Sequence, residues 1–372
     1  MTPPRSLPYR ALDEALLARA LPLLDDAWLA HDAALAPVLP TVLARAVGQD
    51  WHKAGTFAHH LGGVARALTL WQQSDDVRLL GLLHSVYGNA FVNLAKFDAA
   101  SERQRLQDLV GQRAEQWVYR FCTISRTQLV RKLLAGDIAA DGSVVVDSHS
   151  HNGPQHCLDA LEVAAFTIVG LADVMEQWYG WQEDIYAHFP DIDTGRAQSV
   201  HWAASLWPGP MRPSSRMLSQ LSGLAAALRH PALCRQLPLP PIFDDCTHQL
   251  APDSEAAASA LYWSVVQLQH PLLDADAAIA TLEAAVRLNP WVGEPQMLLA
   301  QLYLSVQRNS DAALAAASAL QHMCAWGNAW DKRIAWQAQI AWVRILRQAA
   351  HDGAWPQQLA RLNNMALDAN SV

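Results

Sequence analysis

The sequence predicts an all-α protein. Three observations carry that expectation. Alanine is abundant, runs of β-branched residues are rare, and apolar residues recur at helical rather than alternating spacing. The chain has 372 residues, enough for two or three domains with a large core. At 51% hydrophobic and 17% charged it has the composition of a folded protein, somewhat poor in charge.

The elements follow in order. Residues 11–48 read as one or two amphipathic helices, interrupted near Pro37 and Pro40. A helix over 56–73 has Thr56 as its N-cap, because a hydroxyl there accepts from an otherwise unpaired backbone N–H. Another helix covers 77–95, and at least two more lie within 102–134. The stretch from Gly136 to Pro154 is polar, with Ser143-Val144-Val145-Val146 as a short strand. A long helix is expected from Cys157 to Trp181. Trp207-Pro208-Gly209-Pro210 and Leu237-Pro238-Leu239-Pro240-Pro241 then signal loops around a helix over 214–229. The expected organisation is N-terminal helices over 1–44 packing on the core, a helical domain over 45–190, a connector over 191–250 and a second helical domain over 251–372.

The last of these contains a repeat. Ala278 and Ala312 are 34 residues apart, as are Ala285 and Ala319. Asn289-Pro290 ends one helix pair, and Leu299, Ala300 and Tyr303 open the next. This period and pattern resemble tetratricopeptide repeats, which implies a helical hairpin array that either docks a peptide or protein or serves as plain scaffold. Gln296 and Ala300 stand where the usual Trp and Gly would be. Trp326, Trp330, Trp336 and Trp342 crowd the final helices, where a packed interface is expected. Trp326 and Trp330, four apart, are expected to share a helix face.

Composition excludes several classes. The formal charge is −8 and no Lys/Arg-rich run appears, which argues against nucleic acid as a partner. Five scattered cysteines without a CxxC argue against a disulfide framework or zinc ribbon and fit a reducing cytoplasm. The N-terminal residues lack the apolar run of a secretory signal. Leu161–Met175 is apolar but carries Glu162 and Asp173 and is too short to span a bilayer, so no membrane partner is expected. No GxSxG elbow is present, and the His149-Ser150-His151 and His156 cluster falls in an expected loop.

The chemistry concentrates between Trp51 and Gly88. Turning the helix that starts at Thr56 by 100° per residue puts His60 in line with Val64, Ala67, Leu68 and Trp71, on the apolar face. His59 falls with Gly63, Arg66 and Gln73, and should point outward. His84 aligns with Leu80, Gly81, Tyr87, Gly88 and Phe91, and should point inward, where the glycines permit close approach. Asp173 shares a face with Glu162, Phe166, Val169, Glu176 and Gln177. Carboxylates on such a face are costly unless they meet cations, metal or donors. Two inward histidines and an inward carboxylate on three helices suit a transition metal, whereas a lone inward histidine is usually a hydrogen-bonded core residue.

The quoted residues also form a pattern. His52, Gly55-Thr56, His60-Leu61, His84-Ser85-Val86-Tyr87-Gly88 and Ala172-Asp173-Val174-Met175-Glu176, within residues 45–180, resemble a bacterial family of HD-like helical domains of unknown function. The resemblance implies an HD-like helical bundle. The wider HD superfamily, which includes phosphohydrolases and diiron oxygenases, holds metal on a first His, a His-Asp doublet and a late Asp. By position these are His60, His84 and Asp173. Ser85 replaces the doublet Asp, and Ser is a poor ligand for a divalent ion. Gly170-Leu171 stand where the family helix is polar.

Two functions are expected from this set. The first is a metal-dependent enzyme, hydrolase or oxygenase, acting on a polar small molecule. In it a divalent transition metal (Fe, Mn or Zn) sits on His60, His84 and Asp173, with His52 as a fourth ligand or acid/base. Tyr87 and Arg126 contact substrate, and Glu176 orients a ligand histidine. The alternative is a metal-free ligand-binding or adaptor protein with a degenerate pocket and a protein-docking repeat domain.

Overall fold

The computed structural model describes residues 6–52, 55–90, 94–150, 153–177, 217–268 and 273–355. It is mostly α, with two small two-stranded antiparallel sheets. Trp178–Trp181, Trp207-Pro208-Gly209-Pro210, Phe91 and His151 lie outside the described residues. Among the described residues, no helix is long and apolar enough to cross a membrane.

The first helices are shorter than the amphipathic pattern suggests. They are α1 (Glu14–Ala20), a 3-10 turn (Leu21–Leu24), α2 (Trp28–His31) and α3 (Leu39–Leu43). Pro40 falls in the first turn of α3, where its missing N–H costs nothing. Asp13 caps α1 by accepting from Ala15 N at 2.9 Å.

Strands β1 (Trp51–His52) and β2 (Gly55–Thr56) pair antiparallel, His52 opposite Gly55. The expected cap follows: Thr56 Oγ1 accepts from His59 N at 3.2 Å and starts α4 (Phe57–Leu70). Then come α5 (Asp75–Leu83), α6 (Arg103–Val110), α7 (Gln112–Thr123) and α8 (Arg126–Ala135). Strands β3 (Val144–Asp147) and β4 (Gln155–Leu158) pair, and α9 (Ala160–Gln177) follows.

Three expectations need correction. The helix over 77–95 ends at Leu83, because tight turns from Val86 N to Leu83 O and Gly88 N to Ser85 O follow, with Gly88 at φ 73°. Cys157 and Leu158 are not helical; they pair with Val145 and Val144. The helix starts after Asp159, which accepts from Glu162 N while Glu162 accepts from Asp159 N, a reciprocal capping box. Arg66 and Gln73 point inward. Nearly every residue of α4 is buried, so it is a central helix without a solvent face. Arg66 lies in the field of the Glu176 and Asp26 carboxylates, and Gln73 donates to the Trp71 and Pro238 carbonyls.

Helix α4 packs against α5 and α9. Glycines set these close approaches: a Cβ on Gly81 would overlap Leu68 Cδ1, and one on Gly63 would lie 2.7 Å from Glu176 Cγ. These elements belong to a compact unit formed by described residues within 25–182 and 220–249.

A second compact unit is formed by described residues within 1–24, 183–219 and 250–372. Helix α10 (Met217–Ala227) falls mostly within the ranges of the first unit; α11 (Pro252–Leu268), α12 (Ala275–Leu288), α13 (Glu294–Ser305), α14 (Asn309–Trp326) and α15 (Trp336–Asp352) belong to the second. From α11 onward each helix packs on the next, and α1 packs on α14. Helices α12 and α14 start 34 residues apart in number, at Ala275 and Asn309, and Ala278, Ala285, Ala312 and Ala319 are all buried. Trp326 and Trp330 do not share a helix face, because α14 ends at Trp326 and Gly327 turns the chain at φ 67°. Trp330 instead packs on Tyr262 and Trp263. The indole N–H groups of Trp326, Trp336 and Trp342 donate to Trp291 O, Met323 O and Gln301 Oε1, as in a packed interface.

Candidate metal centre

Three elements each deliver one polar side chain to the same place. His60 projects from the first turn of α4, His84 caps the C-terminus of α5, and Asp173 lies in the last part of α9. All three are at least 95% buried, so water solvates none of them freely. His60 Nε2 lies 3.2 Å from His84 Nε2 and 3.3 Å from Asp173 Oδ1, and His84 Nε2 lies 3.5 Å from the same oxygen.

The far side of each ring fixes its tautomer. His84 Nδ1 is 2.7 Å from Gly81 O, which only accepts, so Nδ1 carries the proton. His60 Nδ1 is 2.5 Å from Glu176 Oε2 and donates to that carboxylate. Neutral rings held this way present lone pairs at both Nε2 atoms. Two ring nitrogens and a carboxylate oxygen therefore converge, and either a proton on His60 Nε2 or an ion among them relieves the meeting of lone pairs. The spacing fits one. Ligands at about 2.0–2.1 Å from a tetrahedral ion are about 3.3–3.4 Å apart, which the three separations bracket. Together His60, His84 and Asp173 make a group that could hold a metal ion.

The electrostatics point the same way. Burial opposes a charge on His60, but Asp173 and Glu176 outweigh it and raise its pKa to about 9. Burial alone would raise the Asp173 carboxyl. The field of His84, with His60 and Arg126, instead holds it well below the usual carboxylate range. The pocket thus stabilises positive charge between the imidazoles and the carboxylate, whether a proton or an ion supplies it.

The remaining candidates divide. Glu176 orients His60, and Arg126 Nη1 donates to Asp173 Oδ2 at 2.7 Å. Gln177, one helical turn beyond Asp173, donates to Asp173 Oδ1 and lies 3.4 Å from His60 Nε2. The sequence reading missed its role, although its i,i+4 spacing from Asp173 was a usable signal. His52 packs its ring 4.6 Å from that of His60 but is not in the group whose ligand atoms all lie within 4.8 Å of one another. Burial and the nearby His60 lower its pKa to about 4, so it stays neutral. Tyr87 is drawn elsewhere: its hydroxyl donates to buried Glu115, which also accepts from Arg103. Ser85 is buried and accepts from Asn89. His59, in the first turn of α4, is exposed, unlike Gly63, Arg66 and Gln73, with which its phase grouped it. His156 pairs with Ser148 at 2.9 Å on the β3–β4 hairpin.

Residues 41–126 match the family described as a Domain of unknown function (DUF6817). That segment contains His60 and His84, whereas Asp173 and Glu176 lie beyond it. No curated protein and no solved structure matches the chain.

Proposed function

We propose that His60, His84 and Asp173 bind a divalent transition metal (Fe, Mn or Zn) and that the protein is an HD-like, metal-dependent enzyme acting on a polar small molecule. One observation carries this reading: two Nε2 lone pairs and one carboxylate oxygen, each at least 95% buried, meet at separations of 3.2, 3.3 and 3.5 Å. Such an ion supplies Lewis-acid polarisation of a substrate oxygen, chemistry common to hydrolases and oxygenases. The chain's own residues do the positioning. Glu176 and the Gly81 carbonyl fix the two rings, and Arg126 and Gln177 hold the carboxylate. With serine at 85, one ion per site fits better than two. Five free cysteines suit a reducing cytoplasm.

The test is metal analysis of full-length protein purified without chelator. Near-stoichiometric metal that is lost in His84→Ala supports the reading. Trace metal that does not respond to that substitution sinks it.

The direct approach of His60 Nε2 to Asp173 Oδ1 favours a second reading, because a protonated His60 closes the pocket without metal. The protein is then a ligand-binding or adaptor protein, with the tetratricopeptide-like helices α11–α15 docking a protein. Protein isolated metal-free, and unresponsive in thermal shift to added Zn²⁺, Mn²⁺ or Fe²⁺, would select it.

A further inference from the structure

One polar atom beside the centre has no role in the arrangement above. The His52 Nε2 atom is fully buried and makes no hydrogen bond. A buried imidazole nitrogen left unmade costs about 1–3 kcal/mol, so the fold should not keep it without a partner in the working state. His52 is firmly placed. The β1–β2 pair is pinned to the start of α4 by Phe57 N to Asp50 O and Ala58 N to Val47 O, each at 2.9 Å. The ring packs on His60 at 4.6 Å and edge-on to Phe57 at 5.5 Å. His60, Asp173, Glu176 and His84 all act on it electrostatically.

Its position argues against direct ligation. Two ligands of one ion with bonds of about 2.1 Å can be at most about 4.2 Å apart. His52 falls outside the group whose atoms all lie within 4.8 Å. It sits one layer out, with its ring packed against that of His60. An ion with only three protein ligands keeps a position for an exogenous ligand, and a dication favours an anion there. An electron-rich anion needs an N–H donor, which a neutral imidazole offers.

We infer that His52 donates a hydrogen bond from Nε2 to a small anion occupying the open position beside His60, His84 and Asp173. His52 is then a positioning group for the substrate's anionic atom rather than a metal ligand. The inference rests on the metal reading proposed above and adds the charge class of what the pocket accepts.

The experiment uses full-length protein loaded with Co²⁺, with azide as the anionic probe followed by visible absorption. Wild type, His52→Ala and His52→Gln should bind equal, stoichiometric cobalt with the same azide-free spectrum. Azide should bind His52→Ala about tenfold more weakly, in line with loss of a hydrogen bond to a charged group. His52→Gln, which keeps an N–H donor of similar reach, should lose less. It carries the measurement if circular dichroism shows the alanine variant unfolded. Equal azide affinity in wild type and both variants overturns the inference while leaving the metal reading intact. A changed azide-free spectrum or lost cobalt in the His52 variants also overturns it, by making His52 a ligand. A wild-type protein that takes up no cobalt overturns the metal reading and this inference with it.

Discussion

The two compact units both bury ionisable groups, yet they satisfy them in opposite ways. In one network of the second unit each buried carboxylate meets donors. Glu294 Oε1 accepts from Trp330 N at 2.6 Å and Asp331 N at 3.1 Å, and Asp331 accepts from Tyr262 Oη at 2.6 Å and from Arg333. Donors and acceptors alternate, and the network holds a turn between α14 and α15. In the first unit two imidazole Nε2 atoms and a carboxylate oxygen converge, and a positive charge, whether a proton on His60 or an ion, balances them. A matched network is complete as it stands, whereas a convergent one needs an added proton or ion to complete it. Burial alone therefore does not mark a site; the pattern of unmet lone pairs does.

The sharpest way to break this contrast is to damage the matched network. Asp331→Ala should destabilise the protein by about 1–3 kcal/mol, since it leaves the buried Tyr262 hydroxyl without its acceptor. Urea denaturation checks the loss, and metal content per folded chain should not change. His84→Ala should do the reverse. It should weaken metal binding by more than about 100-fold, measured by chelator competition, with a smaller effect on metal-free stability.

A third test uses pH. Burial pushes the Glu294 carboxyl up from 4.5 to about 7. The folded state then binds a proton more readily than the unfolded state. Its contribution to stability is fully present below pH 4.5 and is lost as pH rises through 7. Glu294→Gln should flatten that decline, which is on the order of 1–3 kcal/mol, in denaturation curves between pH 5 and 8. The smallest effect is expected at the centre's support. Glu176→Gln weakens the anchor of His60 Nδ1 and should lower metal affinity about tenfold without abolishing it.

Helical phase in the sequence was enough to single out His60, His84 and Asp173, because each lies on an apolar arc that the fold buries. For His84, phase alone does not account for the inward ring. Its helix stops one residue earlier, and the bond from Nδ1 to Gly81 O aims the ring, not a continuing turn. Phase failed for Arg66 because periodicity distinguishes a more apolar arc from a less apolar one, and α4 buries both. The start of α9 was legible in principle, since Asp159 and Glu162 have capping-box spacing, but the apolar run hid the short strand before it. Tyr87 could not be placed from sequence. Its partner Glu115 comes from α7, and nothing local in the chain encodes that meeting.

The ligand set is widely split along the chain: His60 and His84 come from residues within 41–126, and Asp173 comes from α9. During synthesis at about 5–20 residues per second, both imidazoles are made several seconds before that carboxylate. An ion met in that interval would find two nitrogen donors and no anionic partner. On the proposed metal reading, selection is then deferred until α9 closes on α4 over Gly63, because only docking of this helix brings the carboxylate to the two imidazoles.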